Sequence, residues 1–171
     1  YGIDKAIVTG DAMLPHSVGL LIKGNEEKSA GLIESFLKMA KEVMEGQQYD
    51  MQFETQDVVE VEEYMNMIRL KTSVLFGSAC EIGAVLGGAS KEDQQKLYDF
   101  GLYLGTAFQI HDDVLDVIGD AEVAGKRLGK DAEAGKATFV SLLGLTGAQQ
   151  RAADLVTTAC DALAPYGARA D

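Results

Sequence analysis

The chain predicts an all-α protein, and three observations carry that expectation. Apolar residues recur at three- and four-residue steps through most of the 171 residues. Prolines number only two, so long helices are permitted. No segment alternates apolar with polar residues as a half-buried strand does. Apolar content of 47% with 25% charged residues fits a single domain over 1–171 with a sizeable core.

Taken in order, residues 1–22 read as helical after Asp4. A second helix is expected over 30–47, where Leu32, Ile33, Phe36, Leu37, Ala40, Val43 and Met44 share one stripe, ending in Gly46-Gln47-Gln48-Tyr49-Asp50. Asp57 with Glu60 resembles a capping box, and an apolar helical pattern then runs from Val61 to Leu86, closed by Gly87-Gly88. Ser90 with Asp93 starts the next helix, which carries Leu97, Phe100 and Leu104 into a cluster of aspartates. Residues 119–136 hold four glycines and four Lys/Arg and read as a loop. Another helix is expected near Thr138, with a break at Gly147 before a last helix from about Ala148 to Leu163.

Net charge is −12, which disfavours nucleic acid or an anionic membrane surface as a partner. No apolar run reaches the roughly 18 residues of a bilayer span, so no transmembrane segment is expected. Cys80 and Cys160 form no metal spacing and are expected as free buried thiols. These features suit a cytoplasmic protein.

The most informative stretch is Phe108-Gln109-Ile110-His111-Asp112-Asp113-Val114-Leu115-Asp116. Asp is a poor helix former and is rarely buried without a partner. Asp112 and Asp116 are four apart and stack on one helix face about 6 Å apart, with Gln109 on the same face. Either these acids form a solvated helix end, or a hard cation sits among them. Apolar flanks on both sides favour the cation, and carboxylates suit magnesium completed by water and substrate phosphates.

Further features accompany the aspartates. Gln47 and Asp50 share a face, as a polar helix end or as ligand contacts. Lys71-Thr72 lies inside an apolar helix, where the lysine either snorkels to solvent or neutralises an anion. Lys126, Arg127, Lys130 and Lys136 form a basic, glycine-rich loop, suited to phosphate oxygens or simply solvated. Its glycine spacing, with Ala137 after Lys136, excludes a nucleotide P-loop. Gly10-Asp11-Ala12 suggests close helix packing.

In order, Gly-Asp-Ala, Gly-Gln-x-x-Asp, Lys-Thr, Phe-Gln-x-x-Asp-Asp-x-x-Asp, and Gly-Lys-x-x-Gly-Lys-Asp with Gly-Lys-x-Thr resemble the trans-prenyl diphosphate synthases. The resemblance runs from about Asp4 to Gly167. It implies an isoprenoid-synthase-type bundle of antiparallel helices around a central cavity, and a homodimer. The implied activity is a magnesium-dependent prenyltransferase. It would condense isopentenyl diphosphate with an allylic diphosphate (dimethylallyl, geranyl or farnesyl) into a short-chain product, farnesyl or geranylgeranyl diphosphate. The Ser141-Leu142-Leu143-Gly144-Leu145 run looks more like the short-chain members.

Residue by residue, Asp112, Asp113 and Asp116 look like the second aspartate-rich metal motif, and Gln109 like its substrate-facing glutamine. Lys71 and Lys126 look like diphosphate-binding lysines, with Lys136 a second lysine of the late basic loop. Thr72 looks like the threonine near the developing cation. Gln47 and Asp50 match the residues beside the allylic site. Lys71, Thr72, Gln109 and Asp112 are thus the expected catalytic set.

The family's first aspartate-rich motif, expected upstream of Gly10-Asp11-Ala12, is absent, as are the basic residues of the homoallylic site. The resemblance therefore implies the C-terminal half to two-thirds of a synthase, trimmed at both ends and inactive as an isolated chain. Tyr1-Gly2, without Met, fits that expectation. A non-catalytic partner subunit that modulates a synthase is the alternative. A terpene cyclase fits less well, since it needs no second diphosphate site.

Overall fold

From residue 29 onward each long helix runs antiparallel to its predecessor, so that polar residues far apart in sequence meet at one level of the bundle. The computed structural model describes residues 2–119 and 137–170. The elements are α1 (Ile3–Ile22), a 3-10 turn (Glu26–Lys28), α2 (Ser29–Phe53), α3 (Val61–Ile68) and a π-helical turn (Arg69–Ser73). They continue with α4 (Val74–Gly87), α5 (Lys91–Ile118), α6 (Phe139–Leu163) and a closing 3-10 turn (Ala164–Arg169). No strand occurs among the described residues, and the all-α expectation holds.

Polar contacts fix the antiparallel register. Lys28 Nζ donates to the Leu86 carbonyl at 2.6 Å, and Ser35 Oγ lies 3.1 Å from Ser78 Oγ, so α2 runs against α4. Tyr166 Oη donates to Asp93 Oδ1 at 2.7 Å, returning the chain end to the start of α5. The core lies where α3, α5 and α6 meet: Tyr64, Met67 and Ile68 pack on Ala107, Ile110 and Val114 and on Phe139, Ala148 and Leu155.

Several helix ends follow the sequence. Ser90 caps α5 by accepting Asp93 N–H at 3.1 Å, Gly88 ends α4 with φ 75°, and Thr138 forms a capping box with Ser141. Others differ. The second helix continues to Phe53, so Gly46, Gln47 and Asp50 lie within it, because buried packing of Gly46 outweighs its low helix propensity. The capping box before α3 uses Glu60 and Glu63, whose Oε2 accepts the Glu60 N–H at 3.0 Å, rather than Asp57. The last helix breaks at Gly144 (φ 71°, ψ 162°), not at Gly147. Cys80 is half-buried and Cys160 exposed, both free, instead of buried. The loop reading of 120–136 lies outside the described residues.

The stretch Val61–Gly87 has the length and mean hydropathy, 1.2, of a membrane span. It differs from the sequence expectation in that respect only. Tyr64, Met67, Ile68, Leu70, Ser73, Val74, Gly77, Ser78 and Ala84 along it are buried against neighbouring helices. A third of its most apolar window is buried in the bundle, while Leu75 and Leu86 remain exposed.

Candidate active site

The site is built around the π-helical turn. An α-helix would place Lys71 and Thr72 one residue further round the axis. The wider turn at Arg69–Ser73 re-aims both, and such turns recur at functional sites. Two helices press on it through glycines. A Cβ on Gly46 of α2 would stand 2.3 Å from Lys71 N, and one on Gly105 of α5 would stand 2.8 Å from Ser73 Cα. Only glycine lets both backbones approach so closely. Beneath the turn, Ser73 Oγ and Thr106 Oγ1 are buried and 2.7 Å apart, which satisfies both hydroxyls.

This packing brings together residues from α2, the π turn and α5. Lys71 Nζ pairs with Asp50 Oδ2 at 2.6 Å. Thr72 Oγ1 donates to Gln109 Oε1 at 3.3 Å, and Gln109 Nε2 donates to Asp113 Oδ1 at 3.1 Å. Asp112 follows Gln109 by three residues and Asp116 by seven, so both lie on the Gln109 side of α5. Asp50, Lys71, Thr72, Gln109, Asp112 and Asp116 are half-buried and Gln47 is exposed, so the site is reached by solvent. Lys126 and Lys136 lie outside the described residues.

The three aspartates do not act alike. Asp113 is 3% exposed, and its Oδ2 accepts both Tyr64 Oη at 3.0 Å and Phe139 N–H at 2.9 Å. Asp113 faces the start of α6, where a carboxylate also complements the helix dipole. Asp112 and Asp116 remain as hard oxygen donors one turn apart. No group of three or more His, Cys, Asp or Glu able to hold a metal occurs among the described residues. Magnesium does not need one, since it is commonly held by one or two carboxylates with waters and substrate phosphates. The donor set of Asp112 and Asp116 fits it.

Sequence reasoning passed over Tyr64, Phe139, Gly105 and the π turn. Tyr64 was available as a signal, because a tyrosine on a core stripe needs a partner for its hydroxyl and a buried aspartate is one. The opposite side of α5 is apolar. There Leu104, Phe108, His111 and Leu115, with Ala152 and Val156 of α6, line an open groove of about 540 Å³.

An antiparallel helical bundle with lysine, glutamine and aspartates gathered at one level is the architecture of isoprenoid synthases. The chain belongs to the polyprenyl synthetase family, whose model matches residues 1–162. It is 40% identical over 142 residues to the geranylgeranyl diphosphate synthase of Methanosarcina mazei, covering 82% of this chain and 44% of that one. Among solved structures it resembles a Zymomonas mobilis FPP/GFPP synthase (TM-score 0.82, 32% identity, 98% of this chain and 57% of that one). It also resembles the Helicobacter pylori geranyltransferase complexed with magnesium and isoprenyl diphosphate (TM-score 0.82, 30% identity, 96% and 55%). The chain spans about half the length of the curated relatives it matches.

Proposed function

We propose that the chain carries the diphosphate- and metal-binding side of a short-chain prenyl diphosphate synthase. Such an enzyme joins isopentenyl diphosphate to an allylic diphosphate to give a farnesyl- or geranylgeranyl-type product. The observation that carries this reading is the pairing of Lys71 with Asp50 and of Thr72 with Gln109 at the π turn, with Asp112 and Asp116 on the Gln109 side of α5. The relatives named geranylgeranyl and farnesyl diphosphate synthases support it.

The chemistry requires an allylic C–O bond to break, its electron pair leaving with the diphosphate. Lys71, held by Asp50, offers its remaining N–H donors to the departing oxygens, a preorganised charge that needs no rearrangement. Lys126 and Lys136 are proposed to add cationic charge from the basic segment. Gln47 and Asp50 border the allylic end. The Thr72 hydroxyl and Gln109 carbonyl present oxygen dipoles to the developing cation without the basicity to capture it. The double bond of isopentenyl diphosphate then attacks the cationic carbon, and a proton is lost to the released diphosphate. Magnesium, held by Asp112 and Asp116, would supply Lewis-acid stabilisation of the diphosphate.

The proposed assembly is a homodimer. Ile3, Ile7, Val8, Met13 and Leu20 of α1 are all more than half exposed, an apolar surface suited to a partner. Free Cys80 and Cys160 support a reducing, cytoplasmic setting. The test is incorporation of labelled isopentenyl diphosphate into an allylic primer by the complete encoded protein with magnesium. Magnesium-dependent incorporation is expected, abolished by chelation. No incorporation with any of the three primers would refute the reading. The 171 residues alone should show none, because ionisation calls for carboxylates on both sides of the diphosphate and the chain shows one aspartate-rich motif.

A further inference from the structure

Tyr64 is 4% exposed and lies two turns before Lys71 on the same helical segment. Its ring meets that of Phe139 edge-on, with centroids 5.0 Å apart, while its hydroxyl reaches Asp113. Phe139 is fully buried, and its backbone N–H, the first of α6, donates to the same carboxylate oxygen as Tyr64 does. The aspartate is thus gripped on Oδ2 from two elements, and its rotamer is fixed by them.

The consequence appears at the other oxygen. A carboxylate only accepts hydrogen bonds, and a carboxamide donates only through its nitrogen. Asp113 Oδ1 therefore takes Gln109 Nε2, at 3.1 Å. The carboxamide can then point only its oxygen the other way, and Oε1 faces Thr72 Oγ1 at 3.3 Å. Without this contact the two ends of the amide are nearly isosteric, and the side chain would present N–H or C=O to the site with similar ease. A donor pointing at a carbocation repels it; an acceptor dipole stabilises it.

We propose that Asp113, gripped by Tyr64 and the first amide of α6, is a positioning residue that orients the Gln109 carboxamide, its oxygen toward Thr72 and the developing positive charge. The proposal rests on the prenyl-transfer reading for its catalytic consequence, and on geometry alone for the orientation.

The experiment uses the complete encoded protein and three variants. Asp113→Asn is nearly isosteric and keeps an oxygen for Tyr64 and Phe139, but turns an N–H toward Gln109. The glutamine must then flip and present its own N–H to Thr72. Expected is a kcat lower by roughly 10²-fold, as for loss of one oriented dipole, with KM for both diphosphates within about threefold. Adding Gln109→Glu to that variant restores an acceptor facing both the introduced amide N–H and Thr72, and should recover about tenfold in kcat. Tyr64→Phe, which loosens the grip without removing it, should cost roughly tenfold. A merely structural role predicts the opposite: kcat preserved in the folded Asp113→Asn protein, and a further loss on adding Gln109→Glu. Either result would overturn the proposal.

A second readout does not depend on turnover. In ¹⁵N-edited NMR spectra the Gln109 side-chain amide protons, held by Asp113, should exchange slowly in the wild type. Wild-type exchange as fast as that of the exposed Gln48 side chain would overturn the orientation whatever the enzyme's activity. A protected Gln109 amide in a protein without turnover would uphold the orientation and reject the proposed activity instead.

Discussion

The two sides of α5 invert the usual rule for an amphipathic helix. On one side a charged residue, Asp113, is 3% exposed with hydrogen-bond partners from α3 and α6, and Gln109 is half-buried between Asp113 and Thr72 of the π turn. On the other, Phe108 is 57% exposed, Ile118 52% and Leu115 36%, along an open apolar groove. A polar group is buried where partners satisfy it, and an apolar one stays exposed where nothing in the described chain covers it. Hydropathy alone would have assigned the two sides the other way round.

The largest expected effect lies on the polar side. Asp112→Ala in the complete protein should weaken magnesium-dependent binding of a bisphosphonate by roughly 10²-fold or more, because it removes one of two hard oxygen donors. Calorimetry with and without magnesium measures this; unchanged affinity would return Asp112 to a solvated helix face and leave the polar side without a ligand.

Next is packing. A Cβ on Gly105 would meet Ser73 Cα at 2.8 Å, a backbone atom that cannot swing aside. Gly105→Ala should destabilise by about 1–3 kcal/mol, lowering the melting temperature by several degrees. Gly83→Ala, with nothing within 4 Å of the added Cβ, should instead stabilise by up to about 1 kcal/mol. Equal melting temperatures for these two variants would show that the π turn is not pressed between helices in solution.

The apolar side supplies a smaller effect. Phe108 keeps a tilted ring contact with Phe76 at 5.5 Å but little else, so Phe108→Ala in the 171-residue chain should cost at most about 1 kcal/mol. A loss of about 3 kcal/mol or more, the cost of emptying a filled core site, would mean that the groove is closed and the contrast between the two sides is wrong. Smallest is a difference in thiol reactivity. Burial pushes the Cys80 thiol up and covers it in part, so exposed Cys160 should react first with iodoacetamide near neutral pH. Mass spectrometry of partly labelled protein reads the order, and equal labelling would place Cys80 in a more open helix than α4.

How much was legible depended on how local the cause was. The capping Ser90, the terminating Gly88 and the helical periods of α2, α5 and α6 act within a few residues, and their pattern could be read directly. The ordered motifs likewise pointed to Thr72 and Gln109, which the fold brings into hydrogen-bond contact. Gly46 misled because an isolated sequence treats glycine as a helix end, whereas here it is buried mid-helix as a point of backbone contact with Lys71. The different surroundings of the three aspartates were not legible, because spacing says which residues share a helix, not which side of that helix another segment will cover.

By itself the sequence determined the all-α class and the family. Each follows from periodicity, local capping or motif order, which the chain carries with it. Only the tertiary structure decided that Arg69–Ser73 would form a π turn, that Asp113 would be buried against Tyr64 and Phe139, and that Gln109 would face Thr72 with its oxygen. Those outcomes depend on hydrogen-bond partners 26 to 49 residues away along the chain. A carboxylate or amide takes its direction from the groups it meets across the bundle, and no pattern of neighbours in sequence specifies them.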